Sequence, residues 1–285
     1  MEIIIYTNET YIEILNITLP RFIEFLKPLN LRINVVTNKF VNTTGVDFEG
    51  VNVIETGVEH QGNGGHFRDS MLYALSKLQC EHFLFFLDDY ILNSVVKKDN
   101  FDKSFNIFKE YNGDLLSFAC LKFISNQFLK VVNNDLKDYG IENGVLYEFD
   151  ENYRHSFSVQ PCLWKTSSFV ELLSYNDGLT LHELDNSIIK NKKGNTRVLN
   201  GETYFHETNE ESKLDYNFKN LVIDLPPFSY NYDNRPLNTD YFIFDFGEII
   251  RHGILMEHLT NSRHLVLSII DQNPELKTKL KRFIY

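Results

Sequence analysis

Four short apolar runs alternate with stretches of helical periodicity before residue 90, and this alternation restricts the chain more than any other feature. The runs are Glu2–Tyr6, Arg32–Thr37, Val51–Glu55 and Glu81–Leu87. Between the first two, Tyr11, Leu15, Leu19, Phe22 and Leu26 recur at helical spacing over residues 10–29. Before the fourth, Phe67, Met71, Leu75 and Leu78 mark one face of a helix from His66 to Leu78. Strands taken in turn with helices predict βαβ units and a mostly parallel sheet. The fourth run (EHFLFFL) is too apolar for an exposed edge, so it belongs inside that sheet. Thr10-Tyr11-Ile12-Glu13 fits a capping box, and Pro20 predicts a kink or a second helix starting beside it.

Beyond Tyr90 the pattern loosens. A helix is predicted over 100–111 and a strand over 115–121. Further strands are predicted around 128–132 and 145–149, and over 156–164. A helix over 166–173 and another over 181–191 follow, then short strands at 197–199 and 203–205. The Pro- and Asn-rich stretch Pro226–Asn238 reads as a boundary. This divides the chain into a domain of residues 1–235 and a helical extension of residues 236–285. In the extension six basic residues from Arg251 onward face three acidic ones, against a net charge of −11 for the whole chain. Its apolar positions predict packing onto its own domain or onto a twin in a homodimer. The excess of cations would also suit an anionic acceptor or a peripheral membrane contact.

Composition excludes several classes. With 28 Lys+Arg against 39 Asp+Glu, general binding to a nucleic-acid backbone is disfavoured, because that affinity rests on cations. Cys80, Cys120 and Cys162 are scattered and form no CxxC pair, which argues against a disulfide framework and a Cys-only zinc site. A reducing, cytoplasmic setting is expected. No basic leader precedes the first apolar run, and no apolar stretch approaches the roughly 20 residues of a membrane span. The three Asn-x-Ser/Thr matches at Asn8, Asn16 and Asn42 are then chance.

The chemistry concentrates where the fourth strand ends, in Leu87-Asp88-Asp89-Tyr90. Ligands of open α/β sheets bind beyond the carboxyl ends of the strands. Two adjacent carboxylates there repel each other unless donors or a cation compensate. A hard divalent ion that also binds phosphate oxygens is one solution; a strand-end turn with solvated acids is the other.

In order along the chain stand Asp88-Asp89-Tyr90, Gln160-Pro161-Cys162-Leu163-Trp164 and His182-Glu183-Leu184-Asp185. With the βαβ units before them, they resemble the nucleotide-sugar glycosyltransferases of the GT-A class, in a subgroup with an Asp-Asp-Tyr motif. The resemblance covers about residues 1–235. It implies an α/β, Rossmann-like, mostly parallel mixed sheet flanked by helices. It also implies transfer of a sugar from a nucleotide-diphosphate donor, UDP-linked by expectation, to a hydroxyl of a glycan or glycolipid. Mn²⁺ or Mg²⁺ would assist, and the anomeric centre would invert. By that resemblance Asp89 and His206 hold the metal, and Asp88 contacts metal-bound water or the ribose. Thr7, Asn8 and Glu9 edge the nucleotide pocket. Gly65, Arg68 and Asp69 receive diphosphate, base or sugar hydroxyls. Trp164 floors the sugar site. Asp185 or Glu183 is the base that takes the acceptor's proton. The chain departs from the pattern at Leu87, which stands where a DxD triplet has its first acid. That leaves two rivals: a nucleotidyltransferase or other metal-dependent phosphoryl-transfer enzyme, and a non-catalytic binding protein on a degenerate scaffold.

Overall fold

The computed structural model describes residues 1–9, 12–40, 50–58, 66–88, 95–118, 129–142, 144–149, 161–175, 197–199, 202–204 and 219–223. The first four strands fall where their β-branched and aromatic runs predict: β1 (Glu2–Tyr6), β2 (Ile33–Thr37), β3 (Val51–Glu55) and β4 (His82–Leu87). They are followed by β5 (Leu115–Ser117), β6 (Leu129–Asn133), β7 (Leu146–Phe149), β8 (Cys162–Lys165), β9 (Arg197–Leu199), β10 (Glu202–Tyr204) and β11 (Asn220–Ile223). The helices are α1 (Ile12–Leu26), α2 (His66–Leu78), α3 (Lys98–Glu110) and α4 (Thr166–Tyr175).

Nine strands join in one sheet, in the order β3-β2-β1-β4-β8-β5-β11-β7-β6. β3, β2, β1 and β4 run parallel. β8 runs against both its neighbours, β4 and β5, while β11 runs parallel to β5. β7 is antiparallel to β11 and to β6. The result is the expected α/β class, a Rossmann-like, mostly parallel mixed sheet with helices on both faces. β4 lies inside it, between β1 and β8, as its unbroken apolar run requires.

Alternation along the strands divides the core in two. Ile3, Ile5, Leu84 and Phe86 face α1 and α3, meeting Leu15, Leu19, Phe22, Leu26, Phe101 and Phe108. Ile4, Tyr6, Phe83 and Phe85 face the other way, onto Phe67, Met71 and Leu75 of α2 and Phe169 and Leu172 of α4. Complete burial of a side chain of this size contributes about 1.5–3 kcal/mol, so these two layers account for most of what holds the helices to the sheet. One polar ladder crosses the sheet. The buried Asn34 donates to the Ile3 carbonyl and to Glu2, and accepts from Asn52 Nδ2 at 2.9 Å, tying β1, β2 and β3 in register.

Three local readings change. α1 runs unbroken through Pro20, where a kink or a new helix was expected, and ends in a 3-10 turn at Lys27–Leu29. Pro20 is exposed, so water can satisfy the carbonyl freed by its missing N–H, and no second helix is needed. The strand predicted over 156–164 is observed only as Cys162–Lys165, and residues 151–160 lie outside the described residues. β11 was not anticipated. Its apolar part is only Leu221–Ile223, too short a run to stand out between polar residues and Pro226-Pro227, yet all four residues are buried. The capping residue Thr10, the boundary stretch 226–238, the helix expected over 181–191 and the extension 236–285 lie outside the described residues.

Candidate functional site

From β1 the chain builds outward through β2 to β3, then returns to place β4 on the other side of β1. The order therefore reverses between β1 and β4. A crevice opens at such a point, outside the carboxyl ends of the two strands. Thr7 and Asp88 are the residues just past those ends. The register sets Tyr6 beside Leu87, so the next pair is Thr7 and Asp88. Thr7 Oγ1 donates to Asp88 Oδ2 at 2.5 Å, and the Asp88 N–H donates to the Tyr6 carbonyl at 3.1 Å. Both side chains are buried.

Thr18, in the second turn of α1 and fully buried, donates its hydroxyl to the Asp88 carbonyl at 2.9 Å. The peptide group that joins Asp88 to Asp89 is thus held from α1, while the Asp88 carboxylate is held from β1. Nothing in the sequence singles out Thr18 except its place on the apolar face of α1, one residue before Leu19. On the opposite face, Tyr6 sets its ring edge against Phe67 at 4.7 Å. Burial, with a smaller contribution from the Asp88 charge, pushes the Tyr6 phenol well above its ordinary pKa, so it stays protonated.

The ends of β2 and β3 are laced to the same edge. The Glu9 N–H donates to Asn38 Oδ1 at 2.8 Å, and the Gly57 N–H donates to the Asn38 carbonyl at 3.1 Å. Gly57 has φ +66°, a conformation that lets the chain turn sharply out of β3 towards the Gly-rich stretch before α2. Thr56 Oγ1 and Ser70 Oγ lie 3.0 Å apart, which fastens the first turn of α2 to that turn.

Of the sequence-derived candidates, Thr7 and Asp88 meet here; Asn8 and Glu9 follow Thr7, and Arg68 and Asp69 stand in the first turn of α2. Arg68 is occupied. Its Nε donates to the Leu173 carbonyl near the end of α4 at 2.9 Å, and its Nη1 lies 2.8 Å from Asp69 Oδ1. Trp164, expected to floor a sugar site, is fully buried in the α2–α4 layer against Phe169, with ring centroids 4.8 Å apart. Its position on β8 points it into the core, so both faces of the indole are spent on packing. Gly65, Asp89, Glu183, Asp185 and His206 lie outside the described residues.

Among the described residues no three of His, Cys, Asp and Glu cluster as a metal site. The donors present at the crevice, the Thr7 hydroxyl and the Asp88 carboxylate, are hard oxygens. Their chemistry suits Mg²⁺ or Mn²⁺ and not a soft-ligand zinc site. No helix among the described residues is long and apolar enough to cross a membrane.

No family model matches the chain, and no curated protein matches it. Several solved structures share part of its outline. The bifunctional IspDF from Campylobacter jejuni is 15% identical, covering 68% of this chain and 48% of its own, with a TM-score of 0.36. This chain thus spans about half the length of that protein. LgtC, solved as an active-site mutant, is 14% identical over 67% of this chain and 69% of its own, with a TM-score of 0.38. A UDP-glucose pyrophosphorylase complexed with UDP-glucose is 11% identical over 67% of this chain and 88% of its own, with a TM-score of 0.38.

Proposed function

We propose that the protein is a glycosyltransferase that moves a sugar from a nucleotide-diphosphate donor to a hydroxyl of a glycan or glycolipid, with inversion. The observation that supports this best is the Thr7–Asp88 pair, which closes the β1–β4 crevice immediately before Asp89. In this reading Thr7, Asn8 and Glu9 border the nucleoside, Gly65 and the start of α2 border the diphosphate, and Asp69 takes a sugar or ribose hydroxyl. Asp89 and His206 would hold Mg²⁺ or Mn²⁺, whose positive charge, when bound, stabilises the departing diphosphate. Asp88 braces the strand end that presents Asp89. Asp185, or Glu183 beside it, takes the proton from the acceptor hydroxyl as that oxygen attacks the anomeric carbon. The new glycosidic bond forms as the bond to the diphosphate oxygen breaks, and the nucleoside diphosphate leaves with the electron pair. The same reading takes residues 1–235 as the transferase domain and 236–285 as an extension for acceptor docking or dimerisation.

Calorimetric titration with UDP, GDP, CDP and dTDP, each with and without Mn²⁺, tests it. Metal-dependent binding of one diphosphate, lost in Asp89→Ala, is the expected result, with UDP the expected partner. If no nucleotide binds, the donor site is wrong and the non-catalytic scaffold reading stands ahead. If a nucleoside triphosphate is cleaved and no sugar moves, the phosphoryl-transfer reading does.

A further inference from the structure

We infer that Arg68 is a positioning residue that fixes the acceptor side of the site to the donor side, and not a ligand of the diphosphate. This rests on the transferase reading above. β8 is antiparallel to β4, with Lys165 opposite His82, so β8 ends beside the start of β4. α4 begins at the next residue, Thr166, at the sheet's amino end. Its ten residues rise about 15 Å, which returns the chain to the edge that carries Thr7 and Asp88. α2 travels the other way: it starts at that edge, after β3, and descends to feed β4. The first turn of α2 and the last turn of α4 therefore meet at the same edge.

Arg68 makes that meeting specific. Its side chain is only 20% exposed, and its Nε donates to the carbonyl of Leu173, a fully buried residue two before the end of α4. The last carbonyls of a helix have no partner within it, and the helix dipole makes that end attractive to a cation. The charge of Arg68 is further met by Asp69 Oδ1 at 2.8 Å. A guanidinium placed between a helix C-terminus and a carboxylate has spent much of its attraction for a phosphate. What it gains is mechanical. The stretch before α2 borders the donor, whereas the chain leaving α4 at Tyr175 reaches Glu183 eight residues later and Asp185 ten residues later. Arg68 is the side chain that ties these two segments at their roots.

The test uses Arg68→Gln and Arg68→Lys in the full chain, with the nucleoside diphosphate and Mn²⁺ as the binding probe and sugar transfer as the rate. Arg68→Gln is expected to lower kcat by about tenfold or more, as the base and the anomeric carbon lose alignment. Affinity for the diphosphate should stay within about twofold of the parent. Arg68→Lys keeps one N–H for the Leu173 carbonyl and is expected to recover most of kcat. A diphosphate affinity weakened tenfold with kcat retained would make Arg68 a phosphate ligand and overturn the inference; so would two variants that match the parent in both quantities. Backbone amide exchange over residues 174–186 gives a readout that needs no substrate. Faster exchange there in Arg68→Gln, largely restored in Arg68→Lys, with α2 unchanged, is expected, and unaltered exchange in Arg68→Gln refutes the tie even if the parent binds no nucleotide. In that last case the transferase reading fails by itself. If Arg68→Gln does not fold, Arg68→Met takes its place in the same measurements.

Discussion

The hydroxyl of Thr7 donates to the carboxylate of Asp88 across the point where the strand order reverses, so a side-chain hydrogen bond reinforces the backbone one between the ends of β1 and β4. Replacing Thr7 by Val removes that donor and leaves a buried carboxylate short of a partner. Such a loss costs about 1–3 kcal/mol. Thr7→Val should lower the midpoint of urea unfolding accordingly, with the slope unchanged, whereas Thr7→Ser should stay close to the parent. A Val variant as stable as the parent would mean that Asp88 is satisfied elsewhere.

A second brace lies at the other end of the sheet. Asp114, just before β5, accepts from Ser168 Oγ in the first turn of α4 and from the Lys219 N–H just before β11 at 3.0 Å. Asp114→Ala strips partners from both and is expected to cost about 2–3 kcal/mol. Asp114→Asn keeps one acceptor and should cost less. Thermal unfolding of the two variants side by side measures the difference.

His82 introduces a dependence on acidity. It opens β4 with its ring edge-on to Phe105 and Phe108, and burial lowers its pKa below the ordinary 6.5. Glu81 pulls the other way, while the Met1 amino group, Lys109 and Lys165 add to the lowering. A lowered folded-state pKa means that the unfolded chain binds the extra proton first as the pH falls. Stability should therefore be fully present above about pH 6.5 and decline below it. In His82→Gln that decline should be shallower, as chemical denaturation at a series of pH values would reveal. An unchanged slope would assign the acid sensitivity to other groups.

Trp164 is the single tryptophan, so its emission reports on one place. Buried against Phe169, it should emit to the blue of free tryptophan and resist quenching by acrylamide. Neither property should change when a nucleotide or sugar binds. Trp164→Ala should destabilise the fold by about 3–5 kcal/mol, as a large cavity in a core does. Emission that shifts on adding sugar would restore Trp164 to the site.

Much of the β1–β4 half of the sheet was legible because its signals are local. The apolar runs of β1 to β4 and the 3.6-residue spacing of α1 and α2 need no distant partner to be read. Asp88 was singled out for the same reason: an acid directly after a buried strand is conspicuous. Its fastening was not. Thr7 is 81 residues away and Thr18 is 70, and only the register of β1 on β4 and the packing of α1 bring them together. Arg68 and Trp164 were read from residue type, as a cation near a Gly-rich stretch and an aromatic beside a Gln-Pro pair. The helix α4 was expected, but not its packing, which sets its C-terminus on Arg68 and its Phe169 on Trp164. β11 escaped because its place between β5 and β7 is set by pairing and not by its own four residues.

The direction of β8 has a practical consequence. Because it descends between two ascending strands, the links at the far end of the sheet are short: Leu78 to His82, Glu110 to Leu115, and Lys165 straight into α4. The chain leaves β2, β4 and β5 at the crevice edge. A dye, a surface tether or a fused carrier attached at Gln79 or Asn112 would hold the protein by its quiet end and present the crevice outward. The same geometry lets the lengthy segments at the crevice be exchanged for others without disturbing the turns that hold the sheet together.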